Sequence, residues 1–313
     1  MPERPLKGIV VALATPFREG ENAERIDFGA WQKLVDTAIT AGVDAIFVNG
    51  STGEFYALDP EEREVALRFC LQAAHGRVPV YCNVGGITTR ETVRLAHHAQ
   101  AEGADVLAVV TPYYIRPSAA ELAAHYIEIC RAVRLPVLAY NFPQHGGVEI
   151  APETVREIAE RCENFAGIKD SSGRLEQAIA YRDAVPRGRE FSVFIGPERL
   201  LLPALTQGCA GVVSGCANIA PKLFTQLFRA FEEGRLDEAA RLQALASDLG
   251  ATVGLHTFPS TIKEAMRMTG MPAGPCRTPV GPVPEPARLT IAAVLRRLEA
   301  EGLLPENQST ATV

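Results

Sequence analysis

Lysine is scarce in this chain, with five in 313 residues: Lys7, Lys33, Lys169, Lys222 and Lys263. No Lys/Arg run or basic block stands out, and the net charge is −6, which argues against a nucleic-acid or anionic-membrane partner. No apolar stretch reaches the length needed to span a bilayer, and Met1–Pro5 lacks the charged-then-apolar order of a secretory signal. The seven cysteines are scattered and never form a Cys-x-x-Cys pair, so they read as reduced thiols of a cytoplasmic protein rather than a disulfide or zinc framework. The six histidines lack metal-ligand spacing. His97 and His98 are adjacent on an expected helix, so their side chains diverge and cannot chelate one ion. No Gly-x-Gly-x-x-Gly turn follows an early strand, which disfavours the doubly wound dinucleotide-binding sheet.

What the chain does have is alternation. Short β-branched runs cover Gly8–Leu13, Asp44–Asn49, Val78–Asn83, Asp105–Val110, Pro136–Tyr140, Phe165–Lys169, Phe191–Ile195 and Ala210–Val213. Between and after them lie amphipathic stretches: Phe28–Ala41, Pro60–Ala74, Arg90–Glu102, Ala119–Val133, Pro152–Cys162, Arg174–Ala184, Glu198–Gln207 and Pro221–Glu233. Asp59 and Thr88 stand ahead of first-turn acids as capping residues, and Gly42, Gly103 and Gly208 follow helical runs. Eight strands, each followed by a helix, predict an α/β fold closed into a (β/α)8 barrel. The runner-up is an open doubly wound sheet. The spacing predicts a barrel over residues 1–233 and a C-terminal helical appendage over 234–313, with helices near Arg235–Leu249, Pro259–Met268 and Pro286–Glu301. Met271–Pro286 reads as an extended, Pro/Gly-rich connector, and Glu306–Val313 as a frayed end.

In such barrels chemistry gathers at the C-terminal ends of the strands. Unusual residues concentrate there: Asn49–Glu54, Thr111–Tyr114, Tyr140–Pro143, Lys169–Ser172, Gly196–Arg199 and Ser214–Asn218. Lys169 is the only lysine that closes an apolar strand-like run. Desolvation there disfavours the ammonium form, and a free amine adds to a ketone as a Schiff base. Taken alone, such a lysine is more often snorkelling or ion-paired. The turn Gly50-Ser51-Thr52-Gly53 suits a substrate carboxylate or, equally, a helix cap. Tyr140 closes the preceding strand, where its phenol can move protons or simply fill a core position. Of Tyr113 and Tyr114, one reads as core or interface.

Taken together, Gly50–Glu54, Thr111–Tyr114, Tyr140–Pro143 and Gly167–Asp170 resemble the pyruvate-dependent Schiff-base aldolases of the dihydrodipicolinate synthase and N-acetylneuraminate lyase type. The likeness runs from Ala14–Phe17 to the C-terminal helices. It implies a class I carbon–carbon lyase acting on pyruvate and an aldehyde, with no metal and no organic cofactor. Lys169 then matches the imine-forming lysine, Tyr140 the proton-transferring tyrosine, and Ser51 and Thr52 the hydroxyl pair of the carboxylate turn beside Gly53. Ser51 also joins the proton relay. Tyr114 matches a relay tyrosine that in some members enters a neighbouring subunit's site. Gly196 and Val213 match positions near the bound keto acid. The resemblance also implies a homotetramer, a dimer of tight dimers that uses the C-terminal helices for part of the contact.

Two departures bear on substrate. Dihydrodipicolinate synthases usually carry an arginine two residues after the Tyr-Asn-x-Pro motif, and here that place holds His145, a poorer carboxylate clamp. Sialic-acid lyases carry an acidic pair after the strand-seven glycine, and here Glu198 is followed by Arg199. With Glu198 and Ser171 available for hydroxyl groups, the expectation is an aldolase, or a dehydratase with the same first step, for a shorter 2-keto-3-deoxy sugar acid or a 4-hydroxy-2-keto acid. Dihydrodipicolinate synthesis is the alternative. A non-catalytic keto-acid-binding relative would not need Lys169, Tyr140 and Ser51 together, and a metal-dependent barrel enzyme would need His, Asp and Glu converging at the strand ends.

Overall fold

The computed structural model describes residues 6–20 and 24–305. The expectations for Met1–Pro5 and for Glu306–Val313 lie outside the described residues. Eight parallel strands close on themselves in sequence order: β1 (Gly8–Ala12), β2 (Ala45–Val48), β3 (Val80–Asn83), β4 (Val106–Val110), β5 (Val137–Asn141), β6 (Phe165–Asp170), β7 (Ser192–Ile195) and β8 (Gly211–Ser214). The last strand pairs with the first, Val10 opposite Val213, so no edge is left open. The outer helices are α1 (Phe28–Thr40), α2 (Pro60–Ala74), α3 (Thr89–Glu102), α4 (Ala119–Ala132), the single turn α5 (Pro143–Gly146), α6 (Pro152–Arg161), α7 (Leu175–Ala184), α8 (Leu201–Thr206) and α9 (Pro221–Glu232). The chain then adds α10 (Leu236–Ala251), α11 (Ser260–Met268) and α12 (Glu285–Ala300). The (β/α)8 barrel of the sequence reading is therefore the fold.

Both faces of every strand are covered, which is why the strands read as continuous apolar runs. Side chains alternate between two environments. Val10, Ala12, Ala45, Phe47, Leu138, Phe194 and Val213 pack inside the barrel, while Ile9, Val11, Ile46, Val48, Ala139 and Ile168 pack outward under the helices. Asp59 and Ser118 close capping boxes with Glu62 and Glu121, each such cap contributing about 1 kcal/mol to its helix start.

Three boundaries differ from the expectation for local reasons. The run Val78–Asn83 enters the sheet only at Val80, because Pro79 has no N–H to donate; its carbonyl still accepts from the Ile46 N–H at 3.1 Å. The run Glu198–Gln207 is not one helix but a 3-10 turn, Glu198–Leu200, followed by α8. Pro203 would clash with the carbonyl four residues earlier in a continuous helix, and it is tolerated in the first turn of a new one. No element is expected directly after the fifth strand, yet Pro143 starts the one-turn α5. That turn sets where His145 lies.

The C-terminal helices pack at the end of the barrel where the strands' C-termini lie. Helix α10 packs on α9 and on the Glu198–Leu200 turn, and α11 packs against α12 and the Cys216–Asn218 turn after β8. A Cβ on Gly215 would come within 2.8 Å of Ile262 in α11 and 3.0 Å of the Thr52 hydroxyl. The appendage thus reaches the rim where β2 and β8 deliver their loops.

Candidate active site

Strand β6 alternates Ile168 toward the helices and Lys169 toward the barrel axis. Lys169 is 5% exposed. In the sheet it stands opposite Tyr140 of β5 and Phe194 of β7. Its Nζ lies 4.0 Å from the centre of the Tyr140 ring and 5.1 Å from that of Phe47. Among the described residues no carboxylate pairs with it. The other buried lysine, Lys263, is fully engaged with Glu54, while Lys7 and Lys33 are exposed and Lys222 is partly so. Only Lys169 therefore presents a buried amine without an acidic partner.

The Tyr140 hydroxyl and the Ser51 hydroxyl are 3.2 Å apart, and either can donate. Both side chains are buried. Ser51 stands in a tight turn after β2 that opens at Asn49 (φ 58°) and closes at Glu54 (φ 56°), both in the left-handed region. Within it the Glu54 N–H donates to the Ser51 carbonyl at 3.1 Å and the Phe55 N–H to the Gly50 carbonyl at 3.3 Å. The Thr15 hydroxyl donates to the Gly53 carbonyl at 2.7 Å. Gly53 has to be glycine, since a Cβ would sit 2.9 Å from the Leu13 carbonyl oxygen. Thr52 is buried beside Gly215.

The ends of β5 and β6 are latched together. The Asp170 carboxylate accepts from the Asn141 side-chain amide (2.7 Å), the Ser172 hydroxyl (2.7 Å) and the Ser172 N–H (3.1 Å). Burial raises its pKa, against those hydrogen bonds. Ser171 donates its N–H to the Asn141 carbonyl at 2.8 Å, and its hydroxyl lies against Gly196, where a Cβ could not fit. Val213 lies in the inner barrel layer with Phe47 and Phe194.

Three sequence-predicted residues have settings the sequence did not show. Glu198 is buried, and its Oε1 accepts from the Ser214 hydroxyl at 2.8 Å and the Cys216 N–H at 3.1 Å. A Cβ on Gly250 of α10 would come 3.3 Å from its Oε2. A carboxylate so placed braces the β8 loop against α10. His145 is exposed at the rim with its ring 4.2 Å from that of Phe142 and 5.7 Å from that of Phe258. Contact with those rings lowers its pKa by desolvation, so the imidazole is neutral at neutral pH. Tyr114 is 94% exposed with φ 73°, while Tyr113 packs edge-on against Phe55 at 5.8 Å.

The sequence reading missed the supports. Phe47 is the second ring under Lys169, and Phe142 and Phe258 form the apolar rim. Lys263 was passed over because it closes no strand. The available signal was its position between Ile262 and Ala265–Met266 on the apolar face of α11, where burial of a lysine demands a counter-charge. Lys263 Nζ lies 2.5 Å from Glu54 Oε1, and burial pushes the ammonium below its usual pKa against the pull of that carboxylate.

A (β/α)8 barrel with an acid-free buried lysine at the end of β6 and a phenol–hydroxyl pair above it defines the class: a Schiff-base, class I aldolase. The chain matches the model of the Dihydrodipicolinate synthetase family over residues 5–298 and belongs to that family. Members are pyruvate-dependent lyases and synthases that act as carbon–carbon aldolases, and this chain is an enzyme of that kind. It is 35% identical over 290 residues to a 4-hydroxy-tetrahydrodipicolinate synthase of Pelobacter propionicus, covering 93% of this chain and 98% of that one. A synthase of the same name from Aquifex aeolicus is 36% identical over 266 residues, 85% of this chain and 88% of the relative. Among solved structures, YagE, a prophage protein of the dihydrodipicolinic acid synthase family from E. coli K12 in complex with pyruvate, superposes with a TM-score of 0.89 at 32% identity, covering 94% and 98% of the two chains. The 4-hydroxy-tetrahydrodipicolinate synthase of Methylacidiphilum fumariolicum SolV gives 0.90 at 31% identity over 96% and 99%.

Proposed function

We propose that Lys169 attacks the C2 ketone of pyruvate or a related 2-keto acid and, with loss of water, forms a protonated imine. That imine acidifies C3, whose deprotonation gives an enamine. The enamine adds to an aldehyde carbon in the synthetic direction; in reverse, the C3–C4 bond breaks and pyruvate is released. Tyr140, coupled to Ser51, takes the proton from C3 of the imine and returns it there, and in the aldol step carries the proton to and from the C4 oxygen. The Ser51–Gly53 turn holds the keto acid's carboxylate, with Gly196, Ser171 and Val213 closing the pocket beside it. The observation that carries this reading is the pairing of an acid-free buried lysine with the Ser51–Tyr140 contact.

The second substrate is a short aldehyde bearing hydroxyls, and the cleaved substrate a 2-keto-3-deoxy sugar acid or a 4-hydroxy-2-keto acid. A neutral His145 against two phenylalanine rings supports this, since it supplies no cation for a second carboxylate. The names of the relatives favour a second reading, condensation of pyruvate with aspartate semialdehyde, in which Arg116 or Arg199 provides the clamp. Arg199 is exposed and donates to the Gly173 carbonyl, which ties it to the β6 loop. Tyr114, held clear of its own subunit, is suited to enter a neighbour's site in a homotetramer, a dimer of dimers. Seven unpaired cysteine thiols suit a reducing cytoplasm, and no helix among the described residues is long and apolar enough to cross a membrane.

A panel of 2-keto-3-deoxy acids assayed for pyruvate release, run beside condensation of pyruvate with aspartate semialdehyde, separates the two readings. Cleavage of the sugar acids is expected to dominate. Efficient condensation with little cleavage would select the second.

A further inference from the structure

Glu54 is the last residue of the turn that carries Ser51 and Thr52, and it is fully buried. One carboxylate oxygen lies 2.5 Å from Lys263 Nζ, and the other accepts the Arg277 N–H at 3.0 Å. Lys263 also donates to the Pro275 carbonyl at 2.8 Å. The Lys263 ammonium and the Arg277 guanidinium sit 4.3 and 4.4 Å from the centre of the same ring, Phe17. The Arg277 side chain goes on to the Ala57 carbonyl and the Glu62 carboxylate, both at 2.6 Å. Among the described residues, every partner of the Glu54 carboxylate thus comes from α11 or the connector after it, while the backbone of the same turn delivers Ser51 to Tyr140.

A buried ion pair is a poor device for stability alone, because desolvating the two charges costs several kcal/mol that their attraction only partly offsets. The hydrogen bonds that flank it, Arg277 N–H to the Glu54 carboxylate and Lys263 to the Pro275 carbonyl, are directional and do suit the fixing of one geometry. The turn needs fixing: Asn49 and Glu54 hold left-handed backbone angles that side-chain-bearing residues adopt at some cost. Thr15 anchors the turn at Gly53, and Glu54 is its charged anchor on the other side.

We propose that the Glu54–Lys263 pair is a positioning device that sets the Ser51 hydroxyl against Tyr140, making the C-terminal appendage part of the proton-transfer apparatus. Neither residue touches the reacting atoms. The pair acts through the turn, so its loss disturbs steps that move protons and spares the attack of Lys169 on the ketone. This rests on the Schiff-base reading proposed above.

The test compares wild type with Glu54→Gln, Lys263→Met and the double variant, which leaves no unpaired buried charge. Two quantities are read on each folded protein: the fraction trapped by borohydride with pyruvate, and the rate at which pyruvate C3 hydrogens exchange for deuterium in heavy water. Trapping is expected to stay at the wild-type level in the double variant while exchange falls roughly 10²-fold, the usual effect of an ångström-scale misplacement. Lys263→Arg, which keeps the charge, is expected to recover part of the exchange. Exchange at the wild-type rate in the double variant overturns the proposal. A double variant that does not fold, or folds without trapping pyruvate, makes the pair a requirement of the fold and overturns it equally. Failure of the wild-type protein to trap pyruvate would instead remove the Schiff-base reading itself.

Discussion

Tyr140 and Lys169 are direct partners in the β5–β6 ladder, and Lys169 Nζ lies 4.0 Å from the centre of the Tyr140 ring. Parallel pairing and a two-residue side-chain period point both into the barrel at the same height. The two groups proposed for imine formation and proton transfer are therefore placed by the sheet itself. A one-residue slip of either strand would send one of them under the helices.

Incubation with pyruvate and borohydride is expected to mark the peptide containing Lys169, and Lys169→Ala to abolish both the mark and turnover. Lys263 is equally buried, but its ammonium is held by Glu54 and is expected to remain unmodified. Peptide mass spectrometry decides. An adduct on Lys263 or Lys222 would place the chemistry elsewhere.

Tyr140→Phe keeps the ring under Lys169 and removes the hydroxyl that meets Ser51. Turnover is expected to fall roughly 10²–10⁴-fold, the range for positioned acid–base catalysis, while pyruvate still forms some imine. Near-normal turnover in this variant would make Tyr140 a packing residue only.

His145→Arg introduces a guanidinium fork where a neutral imidazole now rests against Phe142. Condensation with aspartate semialdehyde is expected to improve by roughly ten- to a hundred-fold, the worth of about 1.5–3 kcal/mol of charged hydrogen bonding. Sugar-acid cleavage is expected to change less. Equal effects on kcat/KM for both substrates would show that position 145 does not read the second carboxylate.

Acid stability is expected to depend on His125. Its ring is buried on α4, with Nδ1 2.9 Å from the Thr89 hydroxyl, Nε2 without a partner among the described residues, and the pKa lowered by burial to about 4. The unfolded chain therefore takes up this proton first, below its usual value of about 6.5, and the native state loses stability as pH falls toward about 4. Between about pH 7 and about pH 5 the linkage amounts to about 2 kcal/mol. Urea denaturation at both pH values checks this, and His125→Gln is expected to flatten the difference. An unchanged slope in that variant would assign the acid sensitivity to other groups.

Much of the molecule was legible in the sequence because its signals are local and periodic. Apolar runs buried on both faces, acids in first turns and glycines after helices follow from a few neighbouring residues, and eight repeats of one unit leave few ways to close. Lys169 stood out for a similar reason, as a charge ending an apolar run. The engagement of Glu198 was not legible because its neighbours, Ser214, Cys216 and Gly250, lie 16 to 52 residues away, and no local pattern shows which groups a carboxylate meets.

The sequence by itself determined the unit, its repetition and the chemical types at the strand ends, since backbone hydrogen bonding and side-chain alternation act over a few residues. Only the tertiary structure decided which polar groups meet. Ser51 reaches Tyr140 across 89 residues, and Glu54 reaches Lys263 across more than twice that span. Those contacts depend on barrel closure and on the seating of α11 over the β2 loop, and burial of a charge is affordable only once its partner has arrived.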